Sequence, residues 1–196
     1  MKLRLLIDTC VWLDLARDYR QLPVLEAVAA LRDAKDLELI LPRIVVDEFE
    51  RNKDRVITDS KRGLSTHFKQ VREAIVRFAP EDGRDATLRQ LQEVDHRIAV
   101  GGEAINDAIE IIDKLFATTT KIVANDAVKA RAADRAIARI APFHRQRNGI
   151  DDAILIETYI DVLAARTEAK DVYGFVTHNI HDFSRRAATR DYRIRT

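Results

Sequence analysis

Acidic residues stand where apolar runs stop or helical patterns begin. Asp8 closes the run Leu3–Ile7 (LRLLI), and Glu48 lies about one helical turn beyond Leu37–Leu41 (LELIL). Asp151 and Asp152 open a pattern that continues through Ile154, Leu155, Tyr159 and Leu163. Asp182 follows Val172–Thr177 (VYGFVT), inside the segment THNIHDF. Apolar runs this short fit buried strands rather than helices. Sites in open parallel sheets form outside the carboxyl ends of the strands. These acids, distant along the chain, are therefore expected to converge on one rim. Two carboxylates about 4 Å apart repel by about 4 kcal/mol at an effective dielectric of about 20. A cluster stays ionised only when a cation joins it. Carboxylates without His or Cys partners suit one or two Mg²⁺ or Mn²⁺ ions. Such ions lower the pKa of a bound water and stabilise a leaving oxygen. The implied chemistry is phosphodiester hydrolysis by in-line attack of a metal-bound hydroxide.

Each acid also has a plainer reading. An Asp after a strand is often a turn former or a helix N-cap. Asp8 and Thr9 would then cap a short helix over Val11–Ala16, and Asp151 would cap the later one. Glu48 is more telling, because it shares a helical face with Ile44 and Val45. Asp47 shares its face with Arg43 and Arg51. A core-facing Glu is rare unless paired or liganded. Periodicity does not separate Asp151 from Asp152, since both have apolar residues three to four places on. His144, His178 and His181 match no zinc spacing. Trp12 reads as core.

The remaining pattern supplies the scaffold. Leu22–Ala34 has helical spacing, and Pro42 suits the opening of the next helix. Residues 51 to 147 look almost wholly helical, with a loop at Pro80 and Asp82-Gly83 and a break at Gly101-Gly102. Lys121–Ile140 is expected to be one helix ended by Pro142, and Tyr192–Arg195 a short edge strand. Strands alternating with helices predict an α/β fold with a parallel sheet. The length of 196 residues suits one domain. With 46% hydrophobic and 33% charged residues, a disordered chain is excluded. The 33 basic and 32 acidic residues give a net charge of +1, so no global field points to nucleic acid or membrane. A single cysteine, Cys10, excludes an intramolecular disulfide and a Cys-based zinc site, and fits a reduced cytoplasmic setting. Asp8 and Asp14 interrupt the apolar start, so neither a signal peptide nor a membrane span is expected.

Four segments together resemble PIN-domain nucleases. LLIDTCVWLDLA is similar to their opening strand and acidic turn, and VVDEFERN to the segment that carries a Glu on the helix after strand two. IDDAILIETYI resembles the third acidic segment, and GFVTHNIHDF the closing strand with its Thr-x-Asn/Asp-x-x-Asp-Phe pattern. The resemblance covers the two ends of the chain. It implies a PIN-like three-layer α/β/α sandwich, spanning residues 1–196 as one domain, with a mainly helical insertion over about 51–147. It implies a Mg²⁺- or Mn²⁺-dependent endoribonuclease acting on RNA. Asp8, Glu48, Asp152 and Asp182 correspond to the catalytic, metal-holding acids. Asn179 corresponds to a further ligand or water-positioning group, and Thr177 and Thr9 to supporting hydroxyls, with Asp151 beside the third acid. Many small members are VapC-type toxins, which implies an antitoxin partner and a homodimer as further expectations. Two departures stand out. Compact toxins lack the long helical middle, and Cys10 stands where Asn is common.

Arg131, Arg135 and Arg139 lie at i, i+4 and i+8 and are expected to share one helical face. Arg145 and Arg147 follow and lead to Asp152. Together they form a candidate phosphate-binding path, against the alternative of a solvated face offset by Asp126 and Asp134. Lys61, Arg62, Lys69 and Arg72 read as ordinary surface. Two rival functions remain: a catalytically inactive PIN-like scaffold that docks a protein partner, and a structure-specific DNA nuclease. The first needs no convergence of acids; the second needs more acids than these.

Overall fold

A computed structural model describes residues 1–99, 101–143, 149–166, 170–179 and 183. Asp182, Arg145, Arg147, His144, His181 and the expected edge strand at Tyr192–Arg195 lie outside the described residues.

The chain opens with β1 (Leu3–Ile7), α1 (Thr9–Arg17) and α2 (Leu22–Asp33). β2 (Leu37–Pro42) leads without a loop into α3 (Arg43–Phe78). α4 (Arg84–Ala99) and α5 (Gly101–Thr118) follow, then β3 (Lys121–Ile122), α6 (Asp126–Ile137), α7 (Ile150–Ala164) and β4 (Val172–Val176). The strands form one parallel sheet in the order β3-β2-β1-β4. Leu3 sits opposite Leu37 on one side and Val172 on the other, so β1 is central and its neighbours begin level with it. Every strand therefore delivers its carboxyl end to the same edge.

Consecutive buried residues in β1 (Leu6, Ile7) and β2 (Leu39, Ile40, Leu41) require cover on both faces, as expected of a parallel sheet. α1, α2, α3 and α5 pack on one another, and α6 pairs with α7. The result is a three-layer α/β/α arrangement. Trp12 and Phe49 both meet Phe116 edge-on, at centroid distances of 5.3 and 5.4 Å. α5 contributes Ala108, Ile112, Leu115 and Phe116 to this same core, so part of the long middle stretch is integral to it. α3 runs for 36 residues, about 54 Å at about 1.5 Å per residue. Its first turns bury Val45, Phe49 and Val56, while its far end packs with α4 and is largely exposed.

Two expectations need correction. Lys121–Ile140 is not one helix. Lys121 and Ile122 pair with Leu41 and Pro42 as a short strand, and α6 starts only at Asp126, capped by the Asn125 side chain at 2.9 Å. Pairing with the open edge of β2 overrides local helical spacing here. The helix also ends early. Arg139 has a φ of 53°, and the Ile140 N–H donates back to the Arg135 carbonyl at 3.1 Å. This is a helix-ending turn, so Arg139 does not continue the face of Arg131 and Arg135.

Candidate metal centre

β1 turns directly into α1 at Asp8, and the turn is pinned on two sides. The Trp12 indole N–H donates to the Ile7 carbonyl at 3.1 Å, and the Asp8 N–H to the Val176 carbonyl of β4 at 2.9 Å. Asp8 occupies the N-cap position of α1, yet its side chain makes no capping bond. Its carboxylate is used elsewhere. Oδ2 accepts from Thr177 Oγ1 at 2.7 Å and from Cys10 Sγ at 3.1 Å. Thr177 Oγ1 in turn accepts from the Asn179 N–H at 3.0 Å, and the His178 backbone hydrogen-bonds Cys10. Burial, and then the Asp8 charge, push the Cys10 thiol up to about 11, so it remains a protonated donor.

Both Asp8 donors land on one oxygen. Among the described residues, Oδ1 has no hydrogen bond and the carboxylate has no ion-pair partner, although Asp8 is only 6% exposed. A buried charge without a counter-charge is costly. The neighbouring Thr9 hydroxyl, 1% exposed, also has no partner among the described residues. This set of oxygen groups fits a hard divalent cation.

Among the described residues, Glu48, Asp151 and Asp152 lie near the same edge of the sheet. Glu48 sits in the second turn of α3, just beyond the carboxyl end of β2. The inward positions there are Val45 and Phe49; Glu48 and Ile44 lie at the margin, partly buried. No side-chain partner for Glu48 occurs among the described residues. Arg51, less than one turn on, lies 3.9 Å from Asp151 and so brings the start of α7 beside α3. Asp151 faces outward in that contact. Asp152 is partly buried and turns toward Gly149: a Cβ on Gly149 would meet its Oδ2 at 3.4 Å. Gly149 is the N-cap of α7, and both acids lie in the first turn, where they complement the positive end of its dipole. Among the described residues, no three His, Cys, Asp or Glu side chains gather closely enough to hold an ion.

Beyond β4, Phe183 packs edge-on against Phe175 at 4.9 Å, and its N–H reaches the Asn179 carbonyl at 3.4 Å. The His178 ring meets Asp14 at 2.7 Å on the exposed side of α1. Arg131 and Arg135 do not face solvent as a pair. Both bond to Glu157 on α7, and Arg131 also reaches Asp161. The family resemblance names Thr177 as a supporting hydroxyl; residue spacing gives no sign of the bond from Cys10 to Asp8. The clue present in the sequence was a small, buried-type residue two places after the first acid.

A family model for the PIN domain matches residues 5–183. The chain belongs to the PIN domain family, whose members are generally nucleases that work with divalent metals. Comparison with curated proteins and with solved structures gives no match.

Proposed function

We propose that this chain is a Mg²⁺- or Mn²⁺-dependent endoribonuclease, with Asp8 as the central metal-facing acid. The observation that supports the reading is the Asp8 carboxylate: buried and, among the described residues, without a counter-charge and with both its donors on one oxygen, none on the other. Glu48, Asp152, Asp182 and Asn179 complete the proposed ligand set. Bound ions supply an activated water and neutralise the charge that develops on phosphate. The chain's own residues do the rest. Thr177 and Cys10 orient Asp8, and Trp12 fixes the strand end that carries it. Arg139, exposed beyond the end of α6, is the proposed phosphate contact together with Arg145 and Arg147.

Single-stranded RNA, single-stranded DNA and flapped DNA are offered in parallel with Mn²⁺. Cleavage of RNA alone, lost in Asp8→Asn, is the expected result. Preferential cleavage of flapped DNA would favour the structure-specific DNA nuclease, and no cleavage of any substrate would favour the scaffold.

A further inference from the structure

The α6 arginines were candidates for gripping substrate. From their geometry we infer that Arg135 is instead a positioning residue, one that sets the start of α7 and thereby Asp152. This inference rests on the proposed metal-holding role of Asp152. Arg135 is 14% exposed on its side chain and makes two connections. Its Nε bonds to Glu157, a buried acid five residues after Asp152 on α7. Its Nη1 donates to the Ala141 carbonyl at 3.0 Å, in the segment that returns from α6 to α7. The next residue, Pro142, is buried against Gly149. A Cβ on Gly149 would lie 3.0 Å from Pro142 Cγ and 3.4 Å from Asp152 Oδ2, so the proline ring and the carboxylate close on the same bare Cα. One guanidinium thus holds the body of α7 and the segment against which its first turn is seated. Arg131 is the natural contrast, because its bonds go to Glu157 and Asp161 and, among the described residues, none goes to that segment.

A planar fork can serve two acceptors in fixed directions; an ammonium cannot. Arg135→Lys therefore keeps the charge facing Glu157 and loses the second connection, while Arg131→Lys perturbs the same ion network without removing the bond to the Ala141 carbonyl. Both variants are compared with wild type by Mn²⁺ affinity, from electron paramagnetic resonance, and by amide hydrogen exchange over residues 149–156. Arg135→Lys is expected to weaken Mn²⁺ about tenfold, the lower range for groups that orient a metal ligand, and to speed exchange in the first turn of α7. Arg131→Lys leaves both near wild type. Equal effects of the two variants, or no effect of Arg135→Lys on exchange, overturns the assignment. A wild-type protein that binds no Mn²⁺, yet shows the exchange difference, refutes the metal reading and leaves Arg135 as the residue that seats α7.

Discussion

At the scale of single residues, one carboxylate oxygen decides most of the chemistry. Asp8 could have been an ordinary helix cap, as its place in the sequence allows. The side chain makes no capping bond in α1; its carboxylate accepts from Thr177 and Cys10 instead. These partners lie 169 and 2 positions away along the chain. The first is suggested only by the resemblance of the closing segment, and the second is a residue type seldom counted as a donor. Loss of the thiol should leave Oδ2 with one donor and a looser carboxylate. Cys10→Ala is predicted to lose about 1 kcal/mol of stability, the usual net value of a hydrogen bond, and to bind Mn²⁺ about tenfold more weakly. Cys10→Ser, which keeps a donor, should restore the affinity. Thermal melts and metal titrations on the two variants read this directly.

At the scale of elements, the strands that position the site were legible and the short pairing strand was not. Leu3–Ile7, Leu37–Leu41 and Val172–Thr177 are runs of four or more apolar-rich residues with clear ends, and they became β1, β2 and β4 within a residue. β3 has two residues and exists only because β2 offers an open edge, so local periodicity could not find it. The end of α6 departs from the helical spacing for a related reason: a left-handed residue at Arg139, without a glycine to signal it, stops the helix. The arginine face drawn through that point was lost with it. Elements are also tied at the opposite edge of the sheet, where Arg4 on β1 donates to Asp171 just before β4 at 2.9 Å and to Glu38 on β2 at 2.7 Å. The Arg4 hydrogen bond, followed by that from the Lys2 backbone N–H, holds the Asp171 carboxyl below its usual range. A depressed carboxyl stabilises the fold above its unfolded value of about 3.9. That contribution is lost as the pH falls from there through the lower, folded value. Asp171→Asn should therefore be less stable at neutral pH, and its stability should fall less steeply below about pH 4. Denaturant titrations across that range measure the difference.

At the scale of the whole molecule, the parallel sheet explains why residues from opposite ends of the chain share one edge. Equal register of β1 with β2 and with β4 sends Asp8, the start of α3 and Thr177 to the same side. α7 reaches that side through the contact between Arg51 and Asp151. The same organisation was readable in outline from four short acidic segments in order, because alternation of strands and helices dictates where strand ends fall. What the sequence did not disclose is the degree of integration of the middle stretch. α5 and β3 belong to the common core and sheet, whereas the far end of α3 with α4 extends beyond them. No helix among the described residues is long and apolar enough to cross a membrane. The most direct measurement is Mn²⁺ binding to wild type and to Asp8→Asn, by calorimetry, alongside circular dichroism to establish that both are folded. Saturable binding to wild type that disappears in the folded variant is predicted. Equal binding to both proteins, or none to either, would contradict a metal centre built on Asp8.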